Sequence, residues 1–144
     1  MMSANTTPSS RYTLKKPERL SGRKRIKLLF SSGLSMMCFP YLVYWIYSDS
    51  KKPLVRFGVS IPKKKIRLAV KRNVLKRRTR EVFRLNKSLI YNLLTREAAE
   101  SKATQAIDVF VIYLSDRVLP YSELEKSFKK IINNLSKKDQ NAVF

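Results

Sequence analysis

At Ile61 the apolar rhythm of this chain changes from that of a strand to that of a helix. Over residues 54–61, LVRFGVSI, the side chains Val55, Phe57, Val59 and Ile61 alternate with Arg56, Gly58 and Ser60, the period of two that marks a strand with one buried face. From about Leu68 to Thr95 the recurrence lengthens. Leu75, Val82, Phe83 or Leu85, Leu89 and Leu93 fall three, four and seven residues apart, as the apolar stripe of an amphipathic helix does. A mostly apolar run, AIDVFVIYL at 106–114, follows as a buried strand. A strand, a long helix and a second strand in succession describe a sheet with helices packed on it, an α+β sandwich.

The flanking segments complete the order. PERLSGRKRIKLLFSSG, residues 17–33, places Leu20, Ile26, Leu29 and Phe30 near one helical face, with Gly33 as a stop and Gly22 working against the first turn. Residues 36–47, MMCFPYLVYWIY, are aromatic and β-branched and predict one strand, with Pro40 marking an edge or a bulge. That strand is close enough in sequence to 54–61 to pair with it antiparallel. REAAESKATQ, 96–105, reads as a polar linker. The last helix starts at Ser122 as N-cap, with Glu125 completing a capping box and Leu124, Phe128, Ile131 and Leu135 facing inward. The order is α-β-β-α-β-α, a two-layer α/β sandwich, and ordinary chirality would make its crossover right-handed. Residues 1–14 and the tail from Lys137 are expected to be flexible.

Charge then narrows function. Residues 63–80, KKKIRLAVKRNVLKRRTR, hold ten Lys or Arg in eighteen positions and no acid. The first 80 residues carry 21 cations against Glu18 and Asp49, whereas the last 64 carry ten against eight acids. A field of that size, net +21, calls for a polyanion. Because Leu75, Val82 and their neighbours dock the helix, Arg72, Lys76, Arg80 and Arg84 form an i, i+4 row on another side, joined by Lys71, Arg77 and Lys87, a rigid outward comb. Arginine pairs bidentately with phosphate and stacks on bases, so nucleic acid is the expected partner. Phe30, Tyr44, Trp45 and Phe57 offer rings on which unpaired bases could stack, against the plainer role of core packing.

Other classes are excluded. The longest apolar run has 12 residues and contains Pro40, too short for a span of about 20, and no signal peptide precedes it, so a cytoplasmic protein is expected. Cys38 is the one cysteine and reads as a small buried hydrophobe in a strand. With no histidine, Ser-His-Asp and Cys-His chemistry disappear. The ten acids are scattered, and Glu81 among Arg78, Arg80 and Arg84 reads as an ion-pair partner within its helix. No side chain is therefore expected to be catalytic, and no protein metal site is expected.

The arrangement inside residues 56–84 is specific: an R-x-G strand, a Lys pair, an Ala-Val step, Arg72-Asn73, then Lys76-Arg77, with Arg80-Glu81 and Phe83 a turn later. It closely resembles the signature of the bacterial ribonuclease P protein subunit. RLSGRKRIKLLFSSG at 19–33 is similar to that family's first helix and glycine, and the resemblance covers residues 15–136 as one domain. Val74 departs from the pattern, standing where the family has the third member of an R-N-R triplet, so that contact is missing or taken over by Lys71 or Arg78. Ile26 stands where many members have Phe, and KKKIRL lacks a glycine that often follows the Lys pair.

The resemblance implies a small mixed sheet with a left-handed β-α-β crossover, like that in the second domain of a small-subunit ribosomal protein, in place of the right-handed default. It implies a protein partner of a catalytic RNA that removes the 5′ leader of precursor tRNA, with Mg²⁺ held mainly by the RNA. Arg72, Asn73, Lys76, Arg77, Arg80, Arg67 and Lys71 would then contact the catalytic RNA. Phe30, Tyr44, Lys63, Lys64 and Ile26 would line a cleft for the leader. Neither a membrane nor a small-molecule substrate is expected as partner. The rivals are a structural RNA-binding protein of ribosome assembly and an autonomous nuclease.

Overall fold

The computed structural model describes residues 16–20, 22–101 and 104–141; the N-terminal segment 1–14 and the last three residues of the tail, both expected to be flexible, lie outside them. In chain order the elements are α1 (Arg23–Ser32), β1 (Leu34–Cys38), β2 (Tyr41–Asp49), β3 (Leu54–Ser60), α2 (Ala69–Ser101), β4 (Gln105–Tyr113) and α3 (Tyr121–Asn141), with a 3₁₀ turn at Lys16–Glu18. The four strands stand in the order β1-β2-β4-β3. β2 is antiparallel to β1 and to β4, whereas β3 runs parallel to β4. The expected mixed sheet of an α+β sandwich is present, with one strand more than the sequence suggested.

Several expectations change. Residues 36–47 form the end of one strand and most of another, because Phe39 and Pro40 make a two-residue turn with a cis peptide between them. Pro40 belongs to a hairpin and not to an edge or bulge. β2 and β3 do not pair: β4 lies between them, as a long parallel crossover permits. Finally, α2 runs through the supposed linker to Ser101, and α3 begins at Tyr121, so Ser122 sits inside its first turn and the Pro120 carbonyl takes the Glu123 and Leu124 amides instead. α3 continues to Asn141, past the point where the tail was expected to begin.

Alternation in the strands assigns the two faces. Tyr41, Val43 and Trp45 of β2, Val55 and Phe57 of β3, and Val109, Val111 and Tyr113 of β4 are buried on the side that receives α2 and α3. Phe57 and Phe83 stack with centroids 4.3 Å apart, and Phe128 of α3 meets both edge-on at 6.0 and 6.1 Å. Truncating a ring in such a cluster costs about 3–5 kcal/mol. Leu124, Phe128, Ile131 and Leu135 face inward as their spacing required. Cys38 is buried at the end of β1, where Asn134 of α3 donates to its sulfur at 3.4 Å.

α2 buries a different stripe from the one read off the sequence. Past Phe83 its core residues are Asn86, Lys87, Ile90 and Leu94, while Leu85 and Leu89 are exposed and Leu93 half-buried. Two polar members of that stripe are satisfied internally. Asn86 donates to the Val82 carbonyl at 2.8 Å, and Lys87 Nζ donates to Glu18 Oε1 at 2.8 Å. Tyr91 donates to the other Glu18 oxygen at 2.5 Å and accepts the Val55 amide at 3.3 Å. This buried knot straps the segment before α1 to the long helix. Arg19 bridges to Phe57 and the Leu20 amide donates to the Phe57 carbonyl at 2.9 Å. Leu20 therefore covers the β3 edge and does not belong to the α1 face. Gly22, at φ +96°, starts α1 in a conformation that side-chain-bearing residues avoid, which delays the helix to Arg23.

Candidate nucleic-acid interface

The second sheet face is built in rows. Arg56, Asp108 and Ile46 are in register; next come Gly58, Phe110, Tyr44 and Ser35; then Ser60, Ile112, Leu42 and Met37. α1 lies over the first two rows. Its Arg25 reaches Asp108 Oδ2 at 3.4 Å, and Arg56 donates to Asp108 Oδ1 at 2.9 Å, so one carboxylate buried to 3% exposure ties helix to sheet. A turn later Phe30 meets Tyr44 edge-on at 4.9 Å and Phe110 at 5.5 Å. Phe110 can lie there because its β3 neighbour is Gly58: a Cβ at that position would come within 2.7 Å of the Phe110 ring and 3.3 Å of Leu20.

The third row is not covered by α1. Met37 is exposed, Ser60, Ile112 and Leu42 are half-exposed, and Phe30 itself keeps 45% of its surface in solvent. The result is a partly open row of the sheet beside the Phe30, Tyr44 and Phe110 rings, where the resemblance implied a cleft. Of the five residues expected to line it, Phe30 and Tyr44 are in contact, and Ile26 is half-buried on the same helix. Lys63 and Lys64 are exposed in the loop that leaves the sheet after Ser60, at the uncovered end. Sequence reading missed Phe110, Arg25 and Arg56. Alternation along β4 could have placed Phe110 opposite Ile107 and Val109, but only the pairing with β2 brings it to Tyr44.

That same loop delivers the chain to α2. Its backbone is closed by Lys65 and Ile66 amides on the Pro62 carbonyl, and Ile66 is buried under it. Arg67, Lys71, Asn73, Arg77 and Arg80 are exposed and Lys76 is half-exposed, so the end of the loop and the first three turns of α2 present cations to solvent. Three members of the supposed comb differ. Arg72 turns back, donating from one amine to the Ile66 and Arg67 carbonyls at 2.9 and 2.6 Å, and thereby clasps the loop to the helix. Arg84 pairs with Glu81, Nε to Oε1 at 3.0 Å, and that hydrogen bond holds the Glu81 carboxyl below its ordinary range. Lys87 is buried on Glu18. Arg78, a possible substitute for the third cation of the triplet, donates to the Leu119 carbonyl at 2.7 Å.

Among the described residues no three acids or cysteines gather in a way that would hold a metal ion, and no helix is long and apolar enough to cross a membrane. Asp108, Glu18 and Glu81 are each paired with Arg or Lys.

A family model described as Ribonuclease P matches residues 14–136. The ribonuclease P protein component of Porphyromonas gingivalis is 32% identical over 126 residues, 87% of this chain and 87% of that protein. In three dimensions the RNase P protein from Thermotoga maritima aligns with a TM-score of 0.62 at 23% identity, over 81% of this chain and 96% of that one. The Staphylococcus aureus RNase P protein aligns at 0.58 and 22%, over 83% and 96%. These two likenesses are of fold. Taken with the family match across nearly the whole described region and the third of positions shared with the Porphyromonas protein, they place this chain in the ribonuclease P protein family.

Proposed function

We propose that this chain acts as the protein component of a ribonuclease P ribonucleoprotein, binding a catalytic RNA through α2 and the 5′ leader of precursor tRNA through the sheet cleft, so that the leader is removed endonucleolytically. The observation that carries this reading is the shared loop 61–68: it joins an acid-free cationic helix start to a partly open sheet face with aromatic rings, so two RNA segments can be held side by side. Lys76, Arg77, Arg80, Arg67 and Lys71 neutralise phosphates of the catalytic RNA, Asn73 hydrogen-bonds to it, and Arg72 holds their platform while keeping its second amine for RNA. In the cleft, bases of an unpaired leader stack on Phe30 and Tyr44 and slide along Ile26, while Lys63 and Lys64 meet its phosphates. Mg²⁺ and the phosphodiester chemistry belong to the RNA in this proposal.

The test is reconstitution with a ribonuclease P RNA and a precursor tRNA at limiting Mg²⁺. The expected result is restored cleavage with the pair and none with the protein alone. If about six phosphates are engaged, log affinity falls with log salt at a slope of about −4 to −5. Tyr44→Ala should weaken binding of leader-bearing substrate and spare mature tRNA. Cleavage by the isolated chain, or tight binding to ribosomal RNA with no rescue of the catalytic RNA, would sink the proposal.

A further inference from the structure

Between the start of α2 and the β4–α3 loop lies a groove of about 430 Å³, within the roughly 300–1,000 Å³ that accommodates one small ligand. Lys65, Arg67, Lys71 and Arg117 contribute four cations to its lining, with Asp116 the acid among the lining residues. Ile66, Leu68, Val74 and Val118 add apolar side chains to the same lining. Val74 matters here because its short side chain leaves the space open where a long one would enter it.

The loop that closes the groove is fixed from behind. The Tyr113 hydroxyl donates to the Arg117 carbonyl and accepts the Leu119 amide at 3.3 Å. Ser115 Oγ accepts the Arg117 amide at 3.1 Å, and Arg78 donates to the Leu119 carbonyl at 2.7 Å. Its backbone is thus pinned, while the Arg117 side chain is exposed and takes part in no ion pair among the described residues. A fixed loop carrying an uncommitted guanidinium needs little reordering to receive an anion, and the planar fork matches phosphate. Apolar side chains in the same groove suit the flat side of a base, which only an unpaired nucleotide can offer.

We propose that this groove holds one unpaired nucleotide of RNA, its phosphate on Arg117 and Lys71 and its base against Leu68, Val74 and Val118. The inference rests on the RNA-binding function proposed above and deepens it. An RNA contact then lies on the β4–α3 loop, outside the basic run at 63–80, and Lys71 with Arg117 makes up for the cation absent at Val74.

The experiment titrates salt against binding of the full chain to a ribonuclease P RNA. Arg117→Ala should bind about tenfold more weakly, with the salt slope reduced by about 0.7–0.9. Arg117→Lys should recover the slope and part of the affinity. Leu68→Ala, which removes no charge, should weaken binding about two- to fivefold at unchanged slope, as loss of an apolar contact would. Lys126→Ala removes one exposed cation from α3 and is the control, expected within about twofold of the parent, as for a cation remote from RNA. If Arg117→Ala behaves as Lys126→Ala while Arg80→Ala still weakens binding, the groove is overturned and the RNA-binding function stands. If the parent chain itself fails to bind the catalytic RNA, both fall.

Discussion

Asp108→Asn removes the carboxylate that, among the described residues, ties α1 to the sheet. Asp108 is 3% exposed, whereas its partners remain accessible: the Arg56 side chain is 21% exposed and that of Arg25 44%. Breaking a fully buried pair costs about 3–5 kcal/mol because the remaining ion is stranded. Here water can reach both guanidiniums, so that range is too high. The Arg56 contact, short at 2.9 Å, contributes about 1.5–2 kcal/mol as a charged hydrogen bond; the Arg25 contact, at 3.4 Å and nearly half exposed, about 0.5 kcal/mol. The asparagine keeps an acceptor, so the expected loss is about 1.5–2.5 kcal/mol in urea, or roughly 3–10 °C in thermal midpoint for a chain of this size. Double-mutant cycles should then give a coupling of about 1.5 kcal/mol between residues 56 and 108 and about a third of that between 25 and 108. In the same variant α1 is free to shift, so affinity for leader-bearing substrate should drop while the catalytic RNA is bound as before. An Asp108→Asn protein as stable as the parent, or equal couplings for the two arginines, would refute this assignment of roles.

Other outcomes follow from the same geometry. Lys87→Met should cost about 3 kcal/mol in denaturant titration, because it leaves the Glu18 carboxylate buried beside Tyr91; a neutral result would mean that the strap is not held there. Gly58→Val should push Phe110 off its row and lower affinity for leader-bearing substrate more than it lowers stability, read by comparing binding and melting of one preparation. Burial raises the hydroxyl pKa of Tyr41, Tyr91 and Tyr113 above the ordinary value near 10. The neutral forms are those that fit the fold, so this stability is fully present below pH 10 and is lost as pH rises beyond it. Tyr41→Phe, which sacrifices the bond to Thr79, should flatten that alkaline limb in a pH series of unfolding midpoints.

Element types were legible because period two and the helical period are local properties. The β1–β2 hairpin was not: its turn, Phe39–Pro40, lacks the Gly or Asn that usually marks one, and apolar residues continue on either side. The pairing of β2 with β4 was hidden for another reason. Residues 41–49 and 105–113 meet only after the whole of α2 has crossed between them. The stripe of α2 was misread past Phe83 because Leu85, Leu89 and Leu93 made a better apolar series than Asn86, Lys87, Ile90 and Leu94. The second series wins since Asn86 closes on its own helix and Lys87 finds Glu18, 69 residues earlier. In the site, the cations and the pair Phe30 and Tyr44 could be picked out by residue type and motif. The Arg25–Asp108–Arg56 link and the Arg117 groove depend on residues 52 to 83 apart or on a loop with no pattern of its own.

Arg72 and Arg78 each send a guanidinium to main-chain oxygens of a neighbouring loop. These two cations are consequently hinges between shape and charge: with the ligand absent they still brace the surface that would receive it. Lysine is a compact ammonium without the planar fork, so exchange at 72 or 78 should loosen the mould, while the same exchange at 77 or 80 merely changes the style of the handshake. Tolerance to Arg-to-Lys replacement along a single helix would then separate the cations that build from the cations that bind.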